Sequence, residues 1–181
     1  MNYKLACIGL LIGVGGFANA QSLGGSFTWA DNGHTYESWN DSNGISYQDA
    51  MAFAATRGGT LATITSENEK NAVVANLGGV LPTTSYLGAQ QDPAETTPAA
   101  NWAWVTGEAW SYTNWSGGEP NDFNGPASEQ NLEMFTDGTW NDIGDNFTGF
   151  NTGFLVEVVP EPSSAIALVV MGGLLAARRR K

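Results

Sequence analysis

Apolar positions change their pattern along this chain. After Lys4 the run LACIGLLIGVGGFA is almost unbroken up to Ala18-Asn19-Ala20, and near the other end SSAIALVVMGGLLAA, from Ser163 to Ala177, closes on Arg178 to Lys181. Between these ends the pattern turns periodic. SYQDAMAFAATRGG places Ala50, Met51, Phe53 and Ala54 near helical spacing, and Ser46 with Asp49 forms a capping box. Gly58-Gly59 is the stop signal. SENEKNAVVANLGG repeats the plan, with Ser66 and Glu69 as the box, Ala72, Val73 and Leu77 as the apolar stripe, and Gly78-Gly79 as the end.

Period-two alternation and short apolar runs predict the strands. TYESW (Thr35 to Trp39) lies upstream of the helices and LATI (Leu61 to Ile64) between them; YLGA, WAWV, LEMF, GTWND and GFLVEVV follow. The stretches Ala89 to Asn101 and Asn114 to Ser128 are rich in Pro, Gly, Asn and Thr and read as loops. A strand, two helices and then several strands joined by long loops make an α+β fold. A structureless loop of about fifteen residues inside a compact domain points to a function or to a ligand that orders it.

Composition adds an address and a charge. The first 20 residues have the basic start, apolar middle and small-residue cleavage site of a secretory signal peptide. The 163–177 run with its basic tail resembles a membrane segment and its stop, although it is short for a full span. Of the seven Lys and Arg, only Arg57 and Lys70 lie between the two ends, against every acid but Glu161. Such an excess of carboxylates argues against electrostatic binding of nucleic acid or anionic membranes. The single cysteine, Cys7, lies in the leader, so no disulfide restrains the loops of an exported domain.

The acids therefore need a role. Glu119, Asn121, Glu129, Asn141 and Asp142 are hard oxygen donors at loop or strand-end positions, the ligand type calcium prefers. Alone, EPND is an ordinary turn and TWND a core Trp140 followed by a polar turn. The same reasoning makes His34 a strand-edge residue, and Met51 and Met134 packing. Repulsion would splay the acids apart, whereas a divalent cation would draw them together and pin the loop. A cis bond at Glu119-Pro120 would turn the flanking Glu119 and Asn121 side chains to one side.

The segment from about Thr35 to Val159 resembles the C-type lectin domain. YESWNDSNGISYQDAMAFAATRGGTLATITSENEKNAVV looks like that family's first strand, two helices and intervening strand, YLGA like its WIGL strand, and WAWVTGEAWSYTNWSGGEPND like the strand and long loop leading to its EPN motif; TWND matches its WND motif. The resemblance implies two helices packed on small antiparallel sheets with a long calcium-binding loop, in a domain spanning 21–159. It implies one calcium held by Glu119, Asn121, Glu129, Asn141 and Asp142, the same residues binding a sugar. The EPN form implies vicinal equatorial hydroxyls, as in mannose, glucose, GlcNAc or fucose.

Departures from the family are also visible. Ala54 and Val156, and Asn131 and Asp145, stand where the family has its two disulfides, so calcium is expected to carry more of the stability. For an auxiliary calcium, Asp122 and Glu95 fit, but Gln91 and Gln130 replace acids.

Residues 160–181, opening Pro160-Glu161-Pro162, resemble a PEP-CTERM sorting signal. That implies a Gram-negative, exopolysaccharide-making bacterium, an exosortase-type processing enzyme, and transient or permanent anchoring through 163–177. The expected function is calcium-dependent glycan binding at the cell surface or in the matrix, without enzymatic activity. Two other classes are a protein-binding or adhesion module that lacks sugar recognition, and a hydrolase pairing Glu119 with Glu129 or Glu133.

Overall fold

The computed structural model describes residues 20–144 and 153–160; the leader, Asp145 and the 163–177 segment lie outside the described residues. Its strands are β1 (Gln21–Thr28), β2 (Thr35–Asp41), β3 (Thr60–Leu61), β4 (Thr84–Gln91), β5 (Trp102–Trp104), β6 (Asn131–Phe135), β7 (Trp140–Ile143) and β8 (Gly153–Val158), with helices α1 (Tyr47–Thr56) and α2 (Glu67–Leu77). The fold is α+β. The strands run β1-β2-β8-β4-β6-β7, with β3 on β8 and β5 on β4. All these pairings are antiparallel except β4 with β8.

Both helices begin where their caps predict. Ser46 Oγ accepts from the Asp49 N–H at 3.1 Å and donates to the Asp49 carboxylate at 2.7 Å. Ser66 Oγ accepts from Glu69 N–H at 3.2 Å, but the Glu69 side chain turns away from a reciprocal box. It accepts instead from Thr65 N–H at 2.7 Å and from the buried Tyr36 hydroxyl.

The pleat sends alternate residues to opposite faces of the sheet, and the helices cover them separately. On β8, Phe154 and Val156 join Tyr47, Ala50 and Ala54 of α1, whereas Leu155 joins Val73 and Leu77 of α2. Gly88 on β4 passes close to β3: a Cβ there would meet the Leu61 carbonyl oxygen at 2.3 Å, so only glycine permits the approach. The 61–64 segment is strand only at Leu61, yet it stays in the core, with Ala62 N–H donating to Leu155 O and Gly88 N–H to Ala62 O, both at 2.8 Å.

The buried polar residues are satisfied by one another. Glu157 accepts from Thr63 N–H and Oγ1, both at 2.9 Å, and lies 2.6 Å from His34 Nδ1. Burial, with Glu157 and Glu69 alongside, pushes the Tyr36 phenol far above its ordinary value, so it stays a hydrogen-bond donor. His34 is thus a strand-end partner of a buried carboxylate, while Met134 is core on the α2 side of the sheet and Met51 packs against the core on the α1 side.

Candidate functional site

The site is built on Trp140. This fully buried residue opens β7 and meets Trp104, Trp110, Tyr112 and Trp115 with ring centroids 5.8, 5.8, 5.5 and 5.9 Å away. Aromatic contacts at these separations add to the area they bury. Backbone bonds finish the joint: Trp140 N–H donates to Asn114 O and Ser116 N–H to Trp140 O, both at 2.8 Å. The loop's first half is therefore stapled to the core by rings rather than by a disulfide, and Gly117-Gly118 carries it into Glu119.

From there the chain wraps around Asp142, one pleat beyond Asn141 and on the same sheet face as Trp140. The Glu119–Pro120 peptide is cis. Asp142 is buried and accepts from the Asn121 N–H at 3.0 Å through each oxygen and from the Asp122 N–H at 2.8 Å. Asp122, also buried, accepts from Ala127, Ser128 and Glu129 N–H at 3.1–3.2 Å, closing the second half of the loop. Glu129 is buried as well and accepts from Phe123 N–H at 2.8 Å.

Three carboxyls are thereby brought together, and their electrostatics record the crowding. Burial raises the Glu119 pKa, followed by the charge and a side-chain contact of Asp142 and the charge of Glu129; Asn121 opposes the shift. Burial also raises Glu129, partly offset by the Phe123 N–H, with Asp142 and Asp122 adding to the rise. Glu119 Oε2 is a buried oxygen with no hydrogen-bond partner. An oxygen in that position lacks a donor or a cation.

Asn141 takes a different position. It pairs across the sheet with Glu133 of β6 and donates its Nδ2 to Glu133 Oε1 at 2.9 Å. The structure thus brings Glu119, Asn121, Glu129 and Asp142 into one cluster and turns the Asn141 amide toward Glu133. Among the described residues, no three His, Cys, Asp or Glu side chains are arranged to hold a metal ion. The donor set still suits a hard cation: ionised carboxylates keep spare lone pairs beyond the N–H bonds they accept.

Sequence reasoning missed one residue here. Phe123 follows the EPND stretch and is 81% exposed, an aromatic ring on the rim of an acidic site. Glu133, considered from the sequence only as a carboxylate for a hydrolase pair, is instead put opposite Asn141 by the β6–β7 register. The auxiliary-site residues are taken up by the loops themselves. Gln91 donates Nε2 to Thr97, Pro98 and Ala100 carbonyls, and the Glu95 carboxyl is held below its ordinary range by Thr97 and Thr96 N–H.

Among solved structures, the cow C-type carbohydrate-recognition domain of CD23, in the presence of GlcNAc2Man3 oligosaccharide, matches with a TM-score of 0.56 at 22% identity, over 71% of this chain and 89% of that one. A calcium-independent type II antifreeze protein matches with a TM-score of 0.54 at 20% identity, over 70% and 86%. These likenesses give the fold and leave the ligand open. Pulmonary surfactant-associated protein D of Sus scrofa is 33% identical over 97 residues, 53% of this chain but only 24% of that protein's own length. The model of the Lectin C-type domain matches residues 43–148, more than half of the sequence, and the chain belongs to that family.

Proposed function

We propose that this protein binds neutral glycans in a calcium-dependent way through the loop around Asp142. The observation that carries the reading is the buried, unpartnered Oε2 of Glu119 beside Asp142 and Glu129, in a cluster where burial and then neighbouring carboxylates raise the pKa of Glu119 and of Glu129. Glu119, Asn121, Glu129 and Asp142 would hold the ion, and Asn141 would join if its amide left Glu133. Bound calcium supplies a Lewis-acidic centre for sugar hydroxyl oxygens. The protein's part is to present carboxylates as acceptors and the Asn121 amide as a donor around a vicinal hydroxyl pair. The EPN order favours mannose-, glucose-, GlcNAc- or fucose-type hydroxyls.

Single-site affinity is expected to be weak, so a surface carrying many copies gains most from it. The leader and the 160–181 segment fit export followed by anchoring or exosortase-type processing at the surface of an exopolysaccharide-producing Gram-negative cell. Among the described residues no helix is long and apolar enough to cross a membrane; the anchoring proposed is through the 163–177 segment.

Calorimetric titration of the metal-free protein tests the reading. Calcium should bind with a dissociation constant of roughly 10⁻⁴ to 10⁻³ M, as extracellular modules do. At a hundredfold excess over that constant it should stabilise the fold by about 2.7 kcal/mol. No uptake and no change in melting temperature would remove the reading's main support.

A further inference from the structure

We propose that a cleft beside the acidic cluster, between the 92–101 loop and the 127–131 segment, is a second binding site, for a neutral oligosaccharide and independent of calcium. Two adjoining hollows of about 630 and 400 Å³ share Gln90, Gln91 and Pro93 in their walls. The rest of the polar lining is chiefly amide: Asn101 on one side, Gln130 and Asn131 on the other. Amides offer both donors and acceptors without charge, which suits hydroxyl groups.

The wall also contains groups left waiting for a donor. Gln91 is only 3% exposed, and its Nε2 is committed at 2.8–3.1 Å to three carbonyls of the 97–100 turn. This fixes the side chain of Gln91, a residue lining both hollows, and leaves its Oε1 buried with no hydrogen-bond partner. Ser128 Oγ, lining the smaller hollow, is likewise buried and unpartnered. A buried polar atom left unpaired costs about 1–3 kcal/mol, so a small shift of either side chain that let a ligand hydroxyl reach it would be favoured.

Charge narrows the ligand class. Asp92 is the one ionisable residue in the lining, and its Oδ1 already accepts from Ala94 N–H at 2.9 Å. The surrounding protein has an excess of acids, which disfavours uronic or sulfated chains. The walls are set before any ligand arrives: Gln90 Nε2 donates to Asn131 Oδ1 at 2.8 Å and Gln130 Nε2 to Ala127 O at 2.9 Å. Little ordering cost remains for binding.

The test uses the full chain, ¹⁵N-labelled, in excess EDTA, titrated with mannotriose, cellotriose and chitotriose, and with trigalacturonate as the charged control. Side-chain amide signals of Gln90, Gln91 and Gln130 should shift saturably, with a dissociation constant of order millimolar, for at least one neutral probe and not for trigalacturonate. Gln130→Trp, which fills the cleft mouth, should weaken this binding by ~10-fold or more and leave calcium-dependent monosaccharide binding in place. Gln90→Ala serves the same purpose if the tryptophan variant does not fold. An absence of saturable shifts in EDTA at about 50 mM of every neutral probe overturns the proposal, as does undiminished binding by a folded cleft variant. Glu119→Ala should abolish only the calcium-dependent binding, so the two sites can fail separately.

Discussion

Asp142→Ala should destabilise the metal-free protein, and the structure sets the size of the effect. The Asp142 carboxylate is the acceptor for Asn121 N–H at 3.0 Å and for the buried Asp122 N–H at 2.8 Å. Leaving a buried donor unmade costs about 1–3 kcal/mol, and bonds to charged acceptors lie toward the upper end. Asn121 N–H is only partly buried and finds water more easily, and removing one of three crowded charges relieves Glu119 and Glu129. The net loss should therefore be about 2–4 kcal/mol. Asp142→Asn, which keeps one acceptor oxygen, should lose less. Urea denaturation in excess EDTA measures both, and the NMR titrations of Glu119 and Glu129 should move toward ordinary values in the same variants. Stability unchanged within about 0.5 kcal/mol, the range of an inert surface substitution, would refute the role given to Asp142 as the post around which the loop winds.

The raised pKa values of Glu119 and Glu129 give a pH dependence of definite sign. A folded-state pKa above the unfolded one favours the fold below the ordinary glutamate value of 4.5 and loses that contribution as pH rises through the raised values. The carboxyls of Glu37, beside Arg57, and Asp137, beside Thr139, are lowered and act oppositely at more acid pH. Metal-free protein should accordingly lose stability as pH climbs from 4.5 toward neutrality; Glu119→Gln should flatten the decline, and calcium should offset it, both read by thermal melts across pH. Exchanging Glu119 for Gln together with Asn121 for Asp should shift monosaccharide preference toward galactose in competition assays; unchanged selectivity would remove the EPN stretch from sugar recognition. Phe123→Ala should weaken glycan binding about 3- to 10-fold, the scale of an aromatic contact, without changing the melting temperature, because the ring is exposed.

Both helices were legible because their caps and stops are local: Ser46 and Ser66 act through residues three positions away. β8 was legible as a strand because GFLVEVV is a nearly continuous apolar run, and Phe154, Leu155 and Val156 are buried on both of its faces. β1 was not. QSLGGSFT has two glycines, and its Leu23 is 48% exposed, so nothing in its pattern signals a strand. It is a strand through its pairing with β2, a backbone interaction that leaves little trace in side-chain order. The loop predicted from Ala89 begins later, at Asp92, because Ala89 to Gln91 pair with β5.

At the site, the acids were visible in EPND and TWND as residue types, and the structure brings Glu119, Asn121, Glu129 and Asp142 into one cluster. The position of Asn141 was not visible, because strand alternation sends it to the face opposite Asp142, where Glu133 waits. Nor could the sequence show how the long loop is ordered without a disulfide. Trp110, Tyr112 and Trp115 are scattered aromatics until they close on Trp140. The buried set of Tyr36, Glu69, Thr63 and Glu157 was equally hidden, since its members meet from three distant segments.

Calcium-dependent glycan recognition is the central claim, and a glycan array probed with the full protein in calcium and again in EDTA tests it most directly. The account predicts binding to mannose-, glucose-, GlcNAc- or fucose-terminated neutral glycans that is strong in calcium and falls to the level of the cleft alone, or to background, in EDTA. Glycan binding of equal strength and selectivity in both conditions, or no binding in calcium, would contradict it.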